Sequence, residues 1–334
     1  MKKMIGIGLA VLLFGAWLPD GKMFGAEMKV YFQDIVTVRT LLKKSRALNF
    51  HLVPMYIGSD TKPGHCQTGG TLHGAPKGRL SDPKISKSAN PVRAGDKGKQ
   101  DPVFLSHRGE SDDAPENTMQ AFQLAMDRGS DGIELDIRLT ADGRVVCVHD
   151  ANLKRVAGKS AVIANRTLAE LRKIHPVPEL HEVLAILRPG SMVQIELKGT
   201  AALLPKLRPL LTPELCRKLN VRISSFEEEL LKEAADLFPE LPRLLLIDLV
   251  KYFGHLPTAG ETAALAAQYR ATGISLRANR AYTAEFVRDL KARGLVVAAW
   301  GVSNDRLGLH MAEIGVDAMT CNHAVALRAL WRAK

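Results

Sequence analysis

The chain has 334 residues, 46% of them hydrophobic, and a formal net charge of +11. That length holds one large domain of roughly 200–250 residues with extra segments, or two smaller domains. The basic excess sits in residues 1–100, with 16 Lys and Arg against 6 Asp and Glu, while residues 101–334 are nearly balanced at 30 against 29; with no groove-binding motif or basic–aromatic interleaving, nucleic acid is excluded as a partner.

The N-terminus reads as a targeting signal. Lys2 and Lys3 precede an apolar run from Met4 to Leu18, which Pro19-Asp20 closes. That run is shorter than the roughly 20 residues of a membrane span. Residues 1–26 are therefore a secretory signal peptide or, if uncleaved, an N-terminal anchor that brings the protein near a membrane. Either way the expected destination is outside the cytoplasm, periplasmic or secreted. Residues 27–100 form a low-complexity basic extension. From Ser59 to Gln100 it is rich in Gly, Pro, Ser and Lys. Such a composition cannot bury enough surface to offset chain entropy, so a disordered linker is expected there.

From Asp101 the texture changes. Apolar runs predict strands at Val103–Ser106, Gly132–Ile137, Met192–Leu197, Asn220–Ser224, Arg243–Ile247, Gly273–Leu276, Val296–Trp300 and Val316–Thr320. Between them, apolar residues at helical spacing predict helices at Asn117–Arg128, Phe226–Leu237, Glu261–Tyr269, Ala284–Arg293 and Asp305–Ile314. Eight strands alternating with helices over residues 101–334 predict a TIM-type (β/α)8 barrel. One further apolar run, Arg144–Val148, follows the second strand after only Ala141-Asp142-Gly143. Parallel strands need a longer crossover, and an Asp-Gly turn joins antiparallel ones. Arg138–His149 is thus expected to be a β-hairpin at the C-terminal mouth, returning His149 to that face. The four cysteines make no CxxC pair. Cys147 and Cys321, within predicted strands, read as buried small hydrophobes.

The predicted strand ends carry the chemistry. Glu134 and Asp136 stand two apart on one strand, so both face the same side. Glu196 comes from the next barrel strand, with Lys198 two residues on. Buried carboxylates need a counter-charge, and an all-oxygen set suits one divalent cation, Mg²⁺ or Ca²⁺. Arg108 and Lys198 beside it make a place for a phosphate. Phosphodiester hydrolysis needs a base for the attacking oxygen and an acid for the leaving alkoxide. His107, ending the first strand, and His149, ending the hairpin, have the right chemistry, because imidazole titrates near neutrality. In a TIM barrel these are the positions where catalytic residues stand.

The order of the pieces resembles the glycerophosphodiester phosphodiesterase family. They are His107-Arg108-Gly109, Ala114–Thr118, Ala121-Phe122, Gly129 with Glu134-Leu135-Asp136, Leu139–Gly143, His149-Asp150 and Glu196-Leu197-Lys198. Val177–Leu184, Ser224-Ser225-Phe226, Ala298–Ser303, Gly315-Val316-Asp317 and Thr320-Cys321-Asn322 extend it across residues 101–334. The resemblance implies His107 and His149 as the acid–base pair, and Glu134, Asp136 and Glu196 as metal ligands. It implies Arg108 and Lys198 on the phosphate, Glu116 orienting Arg108, and Trp300 walling the glycerol side. The implied reaction is metal-dependent release of sn-glycerol 3-phosphate and an alcohol. Gly301, Ser303 and His323 depart from the family's usual Thr, Asn and Pro, and the segment from His149 to Glu196 lacks the larger capping insertion. These departures bear on substrate choice. The rival readings are a lysophospholipase D-like phospholipid phosphodiesterase, and an inactive barrel used as a binding module.

Overall fold

A computed structural model describes residues 101–334. The signal segment at 1–26 and the extension at 27–100 lie outside the described residues. Among the described residues one sheet contains nine strands. They are β1 (Val103–His107), β2 (Gly132–Leu139), β3 (Val145–Cys147), β4 (Met192–Leu197), β5 (Asn220–Ser225), β6 (Arg243–Ile247), β7 (Gly273–Arg277), β8 (Val296–Trp300) and β9 (Ala318–Cys321). β1 pairs in parallel with both β2 and β9, which closes eight strands into a TIM-type barrel. β3 is the ninth, antiparallel to β2, so the hairpin forms as its Asp-Gly turn requires.

The predicted elements appear with small shifts. The helix after β5 runs Glu228–Leu237, two residues later than the apolar pattern began. Its start is delayed because Ser225 Oγ first accepts the Glu227 amide at 2.9 Å. β9 begins at Ala318 rather than Val316, because Asp317 makes a turn-like exchange with Val297 across the barrel floor. Several stretches carry helices that no helical pattern announced, among them Leu204–Leu207 and Pro213–Lys218 between β4 and β5, and Leu249–Phe253 after β6. Ala324–Arg332 closes the chain, and short helices at Lys154–Ala157, Leu168–Arg172 and Leu180–Ile186 lie between β3 and β4.

Burial follows the two-layer logic of the fold. A large apolar cluster joins the outward faces of the strands to the helices, with Phe104, Phe122, Leu135, Ile195 and Leu276 inside it. A small separate cluster of Leu244, Ala298 and Ala318 fills the lower barrel. The segment after the hairpin has its own core of Val146, Val148, Leu153, Ile163, Leu168, Leu171 and Val177. It therefore holds a defined shape next to His149. Cys147 and Cys321 are buried and unpaired. Among the described residues, no helix is long and apolar enough to cross a membrane.

Candidate active site

The register of two strands assembles the carboxylates. On β2, Glu134 and Asp136 share a face; on β4, Glu196 stands directly beside Asp136. One oxygen from each lies within 4.8 Å of the others, and all three residues are buried. Lys198 Nζ reaches Glu196 Oε1 at 2.5 Å and Asp136 Oδ1 at 3.3 Å. Arg108 Nε reaches Asp136 Oδ2 at 3.1 Å, and Asn117 Nδ2 donates to that oxygen at 2.9 Å. Asp136 is thus held on three sides.

The three acids feel these surroundings differently. Burial would raise Asp136, but Lys198 and Arg108 outweigh it and hold its carboxyl below the usual range. Burial, then the charge of Asp136, pushes Glu196 up to about 7. Glu134 is raised well above its ordinary value by burial, then by Asp136 and Glu196. Its Oε2 is buried without a hydrogen-bond partner, and His107 Nε2 stands 3.8 Å from it. A surplus of buried negative charge and an orphaned carboxylate oxygen are what a divalent cation resolves. The residues fit such an ion.

The two histidines reach the cleft from different elements. His107 ends β1, and its Nδ1 lies 2.7 Å from Asn322 Oδ1. The amide oxygen accepts, so Nδ1 carries the proton and Nε2 is left with a lone pair. His149 Nδ1 lies 2.6 Å from Asp150 Oδ1, which accepts from Nδ1 whether or not Nε2 also carries a proton. Burial lowers both imidazole pKa values; Arg108 adds to it at His107, and Asp136 and Asp150 oppose it at His149.

The His-Arg-Gly run has a backbone reason. Arg108 and Gly109 both take positive φ, 56° and 86°. This tight turn lays Arg108 back over β2, where its amide donates to Glu134 O at 2.8 Å. A Cβ at position 109 would stand 2.5 Å from the Ala121 carbonyl carbon, so only glycine fits against the helix Met119–Asp127.

His107, Arg108, Glu134, His149, Glu196 and Trp300 line one cleft of about 340 Å³ at the C-terminal mouth. Asp136 and Lys198 are joined to it by the ion pairs above. Glu116 stands one step back, accepting from Arg108 Nη1 at 2.9 Å. The apolar wall is Trp300 packed edge-on against Phe226, ring centres 4.9 Å apart. The Trp300 indole N–H is buried without a hydrogen-bond partner. All nine residues singled out in the sequence are therefore brought together. Sequence reasoning assigned no role to Asn117, Asp150, Gln194 or Asn322. Asn117 and Asp150 sit inside the motifs already quoted, and that adjacency was the available signal.

A model of the glycerophosphoryl diester phosphodiesterase family matches residues 107–326. A glycerophosphodiester phosphodiesterase of Caldanaerobacter subterraneus is 33% identical over 156 residues, 42% of this chain and 64% of that one. A putative glycerophosphodiester phosphodiesterase of Bacillus subtilis, YhdW, is 27% identical over 235 residues, 66% of this chain and 94% of that one. The crystal structure of a glycerophosphodiester phosphodiesterase from Thermotoga maritima superposes with a TM-score of 0.58 at 25% identity, covering 69% of this chain and 99% of that one. A family match across the whole barrel, together with the shared architecture, places the chain in the glycerophosphoryl diester phosphodiesterase family.

Proposed function

We propose that the chain hydrolyses glycerophosphodiesters to sn-glycerol 3-phosphate and an alcohol, with one divalent cation, Ca²⁺ or Mg²⁺, held by Glu134, Asp136 and Glu196. The observation that carries this is the cleft itself: three buried carboxylates within 4.8 Å, flanked by Arg108, Lys198 and two imidazoles. When bound, the cation supplies Lewis-acid polarisation of a phosphoryl oxygen. Arg108, steadied by Glu116, and Lys198 neutralise the remaining phosphate charge and orient it. His107 Nε2 accepts the proton of the attacking oxygen, either water, which gives glycerol 3-phosphate directly, or the substrate's own glycerol hydroxyl, which gives a cyclic phosphate that water then opens. His149 Nε2 donates to the departing alkoxide. Trp300 and Phe226 cover the glycerol carbons and exclude water from one side.

Excess chelator is expected to abolish release of glycerol 3-phosphate from glycerophosphocholine, and added Ca²⁺ or Mg²⁺ to restore it. Full turnover in chelator would remove the cation from the reading. Removal of residues 1–100 is expected to leave a soluble, active barrel, since they serve as export signal and linker. An insoluble or inactive product starting near Asp101 would show that the extension belongs to the folded unit.

One observation favours a second reading. Phe226 after β5, and Tyr252 in the helix Leu249–Phe253 and Leu256 beyond it after β6, are exposed large apolar side chains at 43%, 47% and 47%. An apolar rim there suits a lysophospholipid at a bilayer surface. Faster hydrolysis of lysophosphatidylcholine than of glycerophosphocholine would establish it.

A further inference from the structure

Just beyond His149-Asp150, in the short helix Lys154–Ala157, stands Arg155. It is absent from the residues that line the cleft. Its Nη1 and Nη2 donate to both oxygens of Glu116, at 2.6 and 2.7 Å. Its Nε donates to Asp150 Oδ2 at 2.7 Å. Each carboxylate has a second engagement on the side facing the cleft. Glu116 Oε1 also accepts from Arg108 at 2.9 Å, and Asp150 Oδ1 faces His149 Nδ1 at 2.6 Å. One guanidinium therefore stands at the middle of a chain that runs Arg108, Glu116, Arg155, Asp150, His149.

We propose that Arg155 is a positioning residue, which fixes the phosphate-holding Arg108 and the proton-donating His149 relative to each other through Glu116 and Asp150. This rests on the reading that Arg108 and His149 act on one phosphodiester. Three features carry it. The guanidinium spends both faces of its fork on different carboxylates, a planar geometry that no other side chain offers. The two carboxylates come from separate stretches, Glu116 from the loop before Met119 and Asp150 from the hairpin's end, so Arg155 is their shared tether. Finally, the Arg155 side chain is 48% exposed. A half-exposed ion pair adds little to stability, so the contacts matter chiefly for what they place. Without the tether, Glu116 and Asp150 are two like charges free to part, and the groups they steer move independently. A misplacement near 1 Å costs about 10²-fold in rate.

The test uses the full chain. Arg155→Met is expected to lower kcat on glycerophosphocholine about 10–100-fold, the usual range for losing such an outer partner. Its Tm should stay within about 4 °C of wild type. Arg155→Lys, a point charge without a fork, should recover only part of the rate. The decisive measurement is a pair of double-mutant cycles. With Arg155 present, Glu116→Gln and Asp150→Asn should depart from multiplicative effects on kcat/KM by about fivefold or more. In the Arg155→Met background they should multiply. Multiplicative behaviour in both backgrounds, or an Arg155→Met chain within twofold of wild-type kcat, overturns the proposal. A wild-type chain that turns over no glycerophosphodiester overturns the proposed activity alone. The same cycles are then read in affinity for sn-glycerol 3-phosphate, where multiplicative behaviour in both backgrounds overturns the role of Arg155.

Discussion

Replacing His149 with Ala is expected to lower kcat on glycerophosphocholine by about 10²–10⁴-fold, the usual value of a general acid or base, while fold and cation binding persist. His107→Ala is expected to do the same. The partners of the two rings separate their roles. His149 leans on the Asp150 carboxylate at 2.6 Å, which stabilises an imidazolium and suits the group that carries a proton to the alkoxide. His107 leans on the Asn322 amide, which fixes the tautomer without adding charge, so its free Nε2 suits the group that collects one. A nitrophenolate leaves without protonation. On a nitrophenyl diester, then, His149→Ala should lose much less than on the choline diester, while His107→Ala should lose equally on both. Equal losses for both variants on both substrates would end this division of labour. Unimpaired variants would end the assignment of the site.

A larger structural effect is expected at Gly132, the first residue of β2. A Cβ there would lie 2.0 Å from Met192 O and 2.8 Å from Met192 N. These are backbone atoms of the neighbouring strand β4, and they cannot swing aside as a side chain can. Overpacking in a core typically costs 1–3 kcal/mol, and a clash with backbone belongs at the upper end, about 3 kcal/mol. For a domain of this size that corresponds to a Tm lower by about 6–12 °C. Activity should fall further than stability alone accounts for. β2 carries Glu134 and Asp136 and β4 carries Glu196, so prising the two strands apart at their start moves the carboxylates that must converge at their ends. Thermal unfolding of Gly132→Ala with an unchanged midpoint would show that the strands relax without strain.

What could be read in the sequence and what could not divide along a physical line. β2 and β4 were legible because apolar residues recur at every second position, Ile133, Leu135 and Ile137 on β2 and Val193, Ile195 and Leu197 on β4. The hairpin was legible because a three-residue link forbids a parallel partner. Glu134 and Asp136 were legible as a pair because a strand repeats every second residue. Arg155 and Asn322 earned no role because they act through other side chains across gaps in sequence that no periodicity marks, and Asp150 because adjacency to His149 alone does not show which way its carboxylate turns. The helices at Lys154–Ala157 and Leu168–Arg172 went unseen because they are only 4 and 5 residues long, too short to show a 3.6-residue period. Phe226 went unassigned as well, since it meets Trp300 only through the closing of the barrel.

The bond between His107 and Asn322 spans 215 positions along the chain. It joins the end of the first barrel strand to the residue just past the last one. During folding such a contact is among the last to form, because the intervening loop must be closed before it is rewarded. A ring with seven strands in place and β9 still loose would already hold Glu134, Asp136 and Glu196 on the paired strands β2 and β4. It would lack only the amide that sets the tautomer of His107. If His107 collects a proton as proposed, the β1–β9 seam and the tautomer of that ring are set by the same closure, and loosening the seam removes the partner that fixes the ring.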